Sequence, residues 1–398
     1  MTAEGSPDAP GEGQGAQAQG PQVTRLTLRD FRSYARLDLE VDAPVVVLVG
    51  ENGAGKTNLL EAVSLFTPGR GLRRADLAGM AREDPAREGP GRFTVAVTLA
   101  SGFGEHRLGT AFEGWDGRAG RACRIDGAPA ASPAAFAEHL RLTWLTPDLD
   151  ALFRGSAGDR RRFLDRLVLA VDAGHGARVA ATERSLRTRN RLLDERPDDG
   201  RWLDAVEREL AELAVAVALA RRETVERLQA LIQATRDDAS PFPHAALALE
   251  GWIDDLVACW PAVDAEDRYR AALREGRARD RAAGRTLVGP QASDLAVRHG
   301  PKDIPAGTAS TGEQKALLIG LVLAHAGLVT AMSGLAPIIL LDEVAAHLDP
   351  RRRGALYEAL GGLGGQVWMT GADPALFGGL PREAALFTVA PGEVARLG

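Results

Sequence analysis

One eight-residue segment, Gly50–Thr57, constrains the fold more than any other part of the chain. It reads Gly-Glu-Asn-Gly-Ala-Gly-Lys-Thr and fits the pattern G-x-x-x-x-G-K-[ST]. An apolar, β-branched run precedes it at 44–49, and a run that is apolar at helical spacing follows at 58–66. Strand, glycine-rich turn and helix together predict a phosphate-binding loop at the positive end of the helix. The alternative, a turn that is glycine-rich for other reasons, leaves this agreement unexplained.

Every residue of this phosphate loop is therefore a predicted nucleotide-binding residue. These residues are Gly50, Glu51, Asn52, Gly53, Ala54, Gly55, Lys56 and Thr57. We expect the Lys56 ammonium to reach the β- and γ-phosphates of a nucleotide. We expect the Thr57 hydroxyl to occupy one position on Mg²⁺. The segment thus predicts both a nucleotide and a metal as ligands.

The last quarter of the chain supplies carboxylates for the same site. An apolar run at 338–341 ends in Asp342 and Glu343. A buried parallel strand would place its C-terminal end beside the phosphate loop, where open α/β sheets bind their ligands. We expect Asp342 to hold Mg²⁺, directly or through water, and Glu343 to accept a proton from the attacking water. The acidic pair is a weak signal alone and a strong one beside a phosphate loop.

A second anion site is predicted where a long apolar helix begins. The signature segment, Ser310–Gln314, reads Ser-Thr-Gly-Glu-Gln. Hydroxyl-bearing residues at a helix start cap the helix whatever the function, but such a start can also bind an anion. Its position ahead of the acidic pair matches ABC-type ATPases, whose signature is S-x-G-x-Q; the matching residues are Ser310, Gly312 and Gln314. Thr370 is also assigned to this nucleotide site. It stands where transporter ATPases have a histidine, and this difference favours the chromosome-maintenance branch of the ABC-type ATPases.

The rest of the sequence predicts an α/β protein with an inserted helical unit. Residues 23–148 and 281–398 are expected to form an ABC-type ATPase head, with a mixed sheet that contains the phosphate loop and an antiparallel edge subdomain. Between them, residues 149–280 change to helical periodicity and predict a helical lobe with a short coiled coil. Residues 1–22 are rich in Gly, Ala, Gln and Pro and are predicted to be a disordered tail.

Composition narrows the cellular compartment and the binding partners that we expect for this protein. The chain has 398 residues, a net charge of −6 and two cysteines without a C-x-x-C pattern, which predicts a reducing compartment. The apolar stretch 316–332 is too short to cross a bilayer, so we expect a buried helix, a cytoplasmic protein and no membrane partner.

Contact with DNA would need a local basic patch. Arg160–Arg162 and the arginines between 184 and 191 are candidates, and a solvated helix face is the alternative.

Several motifs resemble the RecF family. They are Phe31–Tyr34, the phosphate loop with its following helix, Arg160–Asp165, Arg187–Leu193, Gly289–Asp294 and the signature segment. The resemblance covers residues 23 to about 390, and the helical-lobe motifs are its most specific part. One departure is plain. RecF proteins usually show G-P-H-R-x-D, whereas residues 289–294 read Gly-Pro-Gln-Ala-Ser-Asp.

This resemblance implies an ATP-controlled DNA repair protein. Two copies would close head to tail as an ATP-dependent homodimer, each ATP held with Mg²⁺ between one phosphate loop and the partner's signature segment. The dimer would hold single-stranded and duplex DNA at gaps and act with RecR and RecO in loading RecA, in recombinational repair, replication restart and the SOS response. Weak, DNA-dependent ATP hydrolysis would serve as a switch that releases DNA. Arg32, in the Phe31–Tyr34 turn, is a candidate nucleotide contact.

Three other functions are weighed against this one. An ABC transporter subunit predicts a histidine in place of Thr370 and a shorter helical subdomain. A structural coiled-coil protein with a decayed nucleotide site does not require the intact motifs seen in this chain. An anti-phage ATPase with a nuclease partner is disfavoured by the RecF-like helical motifs. No residue in the sequence is a nuclease or polymerase candidate.

Overall fold

The computed structural model describes residues 20–83, 91–102, 104–113 and 120–397. Its strands are β1 (Gln22–Phe31), β2 (Tyr34–Glu40), β3 (Val45–Val49), β4 (Arg92–Ser101), β5 (Gly104–Glu113), β6 (Gly120–Ile125), β7 (Ala128–Ala130), β8 (Leu142–Leu145), β9 (Ala245–Glu250), β10 (Asp294–His299), β11 (Ile304–Pro305), β12 (Ile338–Leu341), β13 (Val367–Gly371), β14 (Ala384–Ala390) and β15 (Glu393–Arg396). Its helices are α1 (Lys56–Ser64), α2 (Ala157–Val171), α3 (His175–Glu195), α4 (Gly200–Ala234), α5 (Trp252–Cys259), α6 (Ala262–Glu275), α7 (Arg277–Ala283), α8 (Thr311–Ser333) and α9 (Pro350–Gly362).

A mixed sheet forms the centre of the head, with the strand order β15-β14-β3-β13-β12-β8. The strands from β14 to β8 are parallel, and β15 pairs antiparallel with β14. All residues of β12 and β13 are buried, as are four of the five in β3, which explains their continuous apolar sequences. Because these three strands are parallel neighbours, their C-terminal ends lie together at one edge of the sheet.

An antiparallel sheet with the order β2-β1-β4-β5-β6-β7 forms the second layer. Its inner face carries alternating buried residues such as Leu26 and Leu28 on β1 and Val95 and Val97 on β4. These side chains share one core with α1 and with residues of the mixed sheet, including the fully buried Trp368. The structure confirms the predicted α/β head with its antiparallel subdomain.

The helical lobe is built on the long pair α3 and α4. The two helices pack against each other, and Asp199 caps α4 by accepting a hydrogen bond from Trp202 N at 3.2 Å. Leucines of α3 and apolar residues of α4 form a small core near this turn; they are Leu192, Leu193, Leu203 and Val206. This pair confirms the predicted short coiled coil, and the turn between its helices contains Pro197.

Two boundaries differ from the sequence predictions. The predicted tail, 1–22, lies outside the described residues only as far as residue 19; Gly20 N donates to Gly364 O at 3.0 Å, and β1 already begins at Gln22. The predicted helical segment 149–280 includes the strand β9, which pairs antiparallel with β10. This third sheet, with the order β11-β10-β9, joins the helical lobe to the head.

Helix α8 is the predicted buried apolar helix. The expectation that this stretch is too short to cross a bilayer was wrong, because the helix extends to 23 residues and is long and apolar enough by length and composition. Its central residues, including Leu317 and Val322, are nevertheless almost fully buried in the head. A capping box formed by Ser310 and Glu313 begins the helix, and Gly334, with a left-handed φ of 72°, ends it. The helix is therefore a core element that fixes the position of the signature segment at its N-terminus.

Candidate nucleotide-binding site

The phosphate loop joins the C-terminal end of β3 to the N-terminus of α1. Gly55 has a left-handed φ of 108°, and a Cβ atom there would lie 2.8 Å from both Ser33 Oγ and Tyr34 Oη. A Cβ atom on Gly50 would lie 2.2 Å from the carbonyl oxygen of Val389. Both positions therefore require glycine, one for backbone conformation and one for close approach. Glu51, Asn52 and Gly53 are exposed, so the outer side of the loop is open to solvent.

Lys56 lies inside the curve of this loop. Its side chain is buried, and Nζ donates to Gly50 O at 2.7 Å and to Glu51 O at 2.9 Å. No acidic side chain forms an ion pair with Lys56 among the described residues. The ammonium is thus held at the concave side of the loop by neutral carbonyl groups, which leaves its positive charge uncompensated.

The start of α1 and the ends of two strands meet in a hydrogen-bond network between Thr57, Asp342 and Thr370. Thr57 Oγ1, on α1, lies 2.9 Å from Oδ1 and 3.0 Å from Oδ2 of Asp342, the residue that follows β12. Thr370 Oγ1, on β13, donates to Asp342 Oδ1 at 2.7 Å and accepts from Glu343 N at 2.9 Å. Sequence reasoning placed Thr370 in the site only by comparison with transporter ATPases. Its role as the link between both acids depends on strand pairing that the sequence does not display.

This arrangement fits a magnesium ion of the kind that ATPases use. The Thr57 hydroxyl and the Asp342 carboxylate are hard oxygen donors already within hydrogen-bond distance of each other. No cluster of three or more acidic, histidine or cysteine ligands occurs in the described part of the chain. Mg²⁺ ordinarily takes one or two protein ligands together with waters and phosphate oxygens, so the pair suits a metal bound jointly with a nucleotide.

Glu343 extends from the same strand end in an unusual backbone conformation. Its φ is 54°, in the left-handed region that residues other than glycine seldom adopt. The hydrogen bond from Glu343 N to Thr370 fixes this turn. The side chain is half-buried, and within the described ranges its carboxylate accepts no hydrogen bond. A strained backbone that presents an unpaired carboxylate beside a phosphate loop is typical of a functional residue.

Arg32 lies beside α1, where its guanidinium pairs with Glu61. Nε and Nη2 donate to the two Glu61 carboxylate oxygens at 2.8 and 2.7 Å, and Nη1 donates to Gly79 O at 2.7 Å. The Glu61 side chain has no solvent exposure. The structure therefore assigns Arg32 a structural ion pair, and a contact with nucleotide would have to coexist with it. Sequence reasoning missed Glu61, although an acid within the apolar run 59–63 is a visible signal.

The signature segment lies at the N-terminus of α8. Ser310 Oγ donates to Glu313 at 2.9 Å, while the Gln314 amide donates to Ala309 O at 2.7 Å and to Gly307 O at 3.2 Å. Ser310 and Gly312 are exposed, whereas Gln314 is buried. None of these hydrogen bonds reaches the phosphate loop. Within one copy, the structure brings together the phosphate loop, Asp342, Glu343 and Thr370, and it gives the signature segment separate partners.

Several arginines of the candidate basic patches are paired within the same copy, whereas Arg184, Arg187 and Arg191 are exposed. Arg160 pairs with Asp294 at 2.6 Å, and Arg161 donates to Ser293 O at 2.7 Å. Arg189 has no solvent exposure and pairs with Glu207 and Asp280 at 3.0 and 2.8 Å. Both sequence interpretations, a solvated face or a phosphate surface, are therefore wrong for Arg189. The lobe uses this guanidinium to tie α3 to α4 and α7.

Comparison with solved structures gives the class of the protein. One similar structure is described as "the recombination mediator protein RecF-ATPrS in RecFOR pathway", with a TM-score of 0.81 at 20% identity over 96% of this chain and all of that one. Another is the Smc head domain of Pyrococcus furiosus, with a TM-score of 0.52 at 15% identity over 95% of this chain and 96% of that one. At these identities the likeness concerns the fold alone. The fold and the phosphate-loop geometry define an ABC-type ATPase head.

Sequence relatives then narrow the class to one family. A family model described as "RecF/RecN/SMC N terminal domain" matches residues 22–377. Proteins named "DNA replication and repair protein RecF" from Mesorhizobium japonicum and Rhizobium meliloti are 53% and 52% identical over 372 residues. The matches cover 94% of this chain and 97% and 98% of those proteins. This chain belongs to the RecF family.

Proposed function

We propose that this chain is an ATP-controlled DNA repair protein whose two copies close around two ATP molecules. The network between Thr57, Asp342 and Thr370 is the observation that supports it most strongly. It links the phosphate loop to the ends of two neighbouring strands, so that a metal–nucleotide complex bound there would contact all three. The ATP-bound solved relatives, described as RecF-ATPrS and RecF-ATP, favour the same ligand.

Each residue has a definite task in this proposal. The loop N–H groups and Lys56 bind the phosphates, and Thr57 and Asp342 hold Mg²⁺. Glu343 orients the attacking water and accepts its proton, while Thr370 holds Asp342 and the Glu343 backbone in position. ATP supplies the phosphoryl group and the charge that the site is built to neutralise. Hydrolysis is slow and serves to reopen the dimer.

The second half of each site comes from the other copy. Ser310 and Gly312 are exposed at the positive end of a 23-residue helix. The Ser310 N–H donates to Glu313 in the capping box, whereas no described residue accepts the N–H of Gly312. A γ-phosphate presented by a partner's phosphate loop would accept the Gly312 N–H and be stabilised by the positive helix end. ATP binds the closed dimer better than the monomer for this reason, and its binding energy drives dimerisation.

Closure of the dimer would bring two helical lobes to the same side and form a surface for DNA. We propose that this surface holds single-stranded and duplex DNA at gaps. In this proposal the protein acts with RecR and RecO in loading RecA, in recombinational repair, replication restart and the SOS response, and works in the cytoplasm. Relatives that are named for DNA replication and repair support this assignment.

A mixing experiment tests the shared site. Lys56→Ala damages the phosphate loop, whereas Gly312→Glu places a negative charge on the signature segment. A Cβ atom at Gly312 meets nothing closer than 3.5 Å, so the second variant keeps its fold. Each variant alone should lose ATP-dependent binding to a gapped duplex and ATP hydrolysis.

The equal mixture distinguishes a shared site from a self-contained one. Half of the dimers are mixed, and each mixed dimer has one intact site, so hydrolysis should return to about a quarter of the wild-type rate. A self-contained site predicts no recovery on mixing. That result would contradict the head-to-tail arrangement, and circular dichroism of each variant would exclude unfolding as the cause.

A further inference from the structure

A polar cavity of about 360 Å³ lies between the loop after α1, the end of β8 and the start of α2. Its charged lining residues are Arg73, Arg74, Arg162, Arg166, Asp148 and Asp159. Four arginines against two aspartates leave a net charge of +2. Neither the phosphate loop nor Asp342, Glu343 and Thr370 contribute to the lining, so this cavity is separate from the nucleotide site.

Arg166 has a guanidinium that no carboxylate of the described residues pairs with. Its central carbon lies 5.0 and 5.1 Å from the ring centroids of Trp144 and Phe163. Nη2 is buried and finds no hydrogen-bond acceptor in the described part of the chain. Burial and the positive charge of Arg74 lower the pKa of Arg166 to about 9, and Asp148 opposes this shift only in part. Because a guanidinium withdrawn from water is costly without a counter-charge, an anion in the cavity would stabilise this arrangement.

Arg74 brings a second unpaired guanidinium to the same cavity. Its φ is 55°, in the left-handed region that residues other than glycine seldom adopt. Nη2 donates to the Arg162 carbonyl oxygen at 3.1 Å, and within the described ranges no carboxylate forms an ion pair with Arg74. Partial withdrawal from water and the charge of Arg162 lower the pKa of Arg74. A strained backbone that holds one cation beside others is typical of a binding residue.

The other two arginines of the cavity are paired, one of them weakly. Arg162 forms an ion pair with Asp159, which also belongs to the capping box at the start of α2. Arg73 lies 3.6 Å from the Glu61 carboxylate, whose two oxygens already accept hydrogen bonds from another arginine. These pairs leave most of the excess positive charge on the two guanidinium groups described above.

We propose that this cavity binds a phosphomonoester group, held by ion pairs and hydrogen bonds from Arg74 and Arg166. A phosphomonoester carries a charge of about −1.5 to −2 near pH 7, which matches the cavity, whereas a phosphodiester carries a single charge. Its free oxygens accept hydrogen bonds from the forked donors of guanidinium groups. The group belongs either to a free phosphate compound or to the phosphorylated end of a DNA strand. This site is additional to the ATP-controlled function proposed above and does not rest on it.

The test uses the full chain with Lys56→Ala, because the phosphate loop would otherwise bind phosphate as well. Isothermal titration calorimetry without ATP or Mg²⁺ should show saturable binding of inorganic phosphate and of methyl phosphate. Dimethyl phosphate, a diester with a single charge, should bind at least about tenfold more weakly.

Two substitutions in this background test the arginines. Arg166→Met removes the charge and leaves an apolar side chain in contact with the two aromatic rings, and Arg74→Gln changes a side chain outside the packed core. Each should weaken binding of inorganic phosphate about tenfold or more. Arg70→Gln is the matched control, because it removes an exposed arginine charge from the same loop but does not line the cavity. It should bind phosphate as the Lys56→Ala chain does, and circular dichroism checks the fold of each variant.

Short oligothymidines phosphorylated at one end or the other, compared with the same oligomer ending in hydroxyl groups, identify the source of the group. At least about tenfold tighter binding of a phosphorylated oligomer assigns the site to a strand end. Equal binding of the oligomers, with inorganic phosphate still bound, assigns it to a free phosphate compound. Absence of saturable phosphate binding would overturn the proposal, as would equal binding of methyl and dimethyl phosphate. Unchanged phosphate binding by folded Arg166→Met and Arg74→Gln chains would overturn it as well.

Discussion

Replacing Thr370 by valine removes one hydroxyl from the site and keeps the shape of the side chain. That hydroxyl is buried and makes two hydrogen bonds, a 2.7 Å bond to the Asp342 carboxylate and a 2.9 Å bond from Glu343 N. A hydrogen bond to a charged group contributes about 1.5–3 kcal/mol, and one between neutral groups about 0.5–1.5 kcal/mol. The added methyl group recovers part of the loss. We expect Thr370→Val to lower the free energy of unfolding by about 2–3 kcal/mol.

Urea denaturation followed by tryptophan fluorescence measures this change, since Trp368 is buried on the same strand. Thr370→Ser is the control, because it keeps the hydroxyl and loses only a methyl group. It should cost about 1 kcal/mol. Thr370→Val should also reduce ATP hydrolysis more than Thr370→Ser does, since Glu343 loses its backbone anchor. If the serine variant is the less stable and less active of the two, the role assigned to the hydroxyl is refuted.

Three further substitutions test the nucleotide site, an ion pair beside it and a buried histidine elsewhere in the fold. Gly55→Ala should lower nucleotide affinity by more than about tenfold, because left-handed strain adds to the 2.8 Å approach of Ser33 and Tyr34; Gly53→Ala, strained but unobstructed, should lose less in the same titration. Arg32→Ala should cost about 3 kcal/mol in urea unfolding, because it leaves the buried Glu61 carboxylate to a weaker 3.6 Å pairing; an unchanged midpoint would contradict this. His325 is buried on α8, where its Nε2 lies 3.0 Å from Leu167 O. Burial lowers the pKa of His325 from 6.5 to about 4, so the unfolded chain binds a proton first as the pH falls. Stability should therefore decrease from pH 6.5 towards pH 4, and His325→Asn should flatten that profile; identical profiles would refute the assignment.

The elements of the central site could be predicted because each of its motifs is a short continuous segment of the sequence. The phosphate loop, the strand that ends in Asp342 and Glu343, and the helix start at Ser310 each combine a local pattern with the secondary structure that it requires. Parallel strands then bring their C-terminal ends together without further information. The continuous apolar runs at 44–49 and 338–341 predicted strands of the mixed sheet, and the helical periodicity after residue 149 predicted the α3–α4 pair.

What sequence reasoning missed depends on pairing between distant residues. Arg189 resembles every other arginine in its run, and its partners Glu207 and Asp280 lie on other helices. The hydrogen bond from Thr370 to Asp342 likewise requires the adjacency of β12 and β13. Strand β9 is short and lies within a helical region, so its alternation was too weak a pattern to separate it from its surroundings.

The most direct test of the ATP switch is sedimentation of wild type and Glu343→Gln, each with Mg²⁺ and ATP, with and without a gapped duplex. Glu343→Gln removes the proposed base but keeps the backbone hydrogen bond to Thr370, so nucleotide binding should survive while hydrolysis stops. We expect this variant to remain a dimer that holds DNA, whereas the wild type returns to monomer as ATP is consumed. If both proteins stay monomeric and leave the DNA free, ATP does not control closure of this protein.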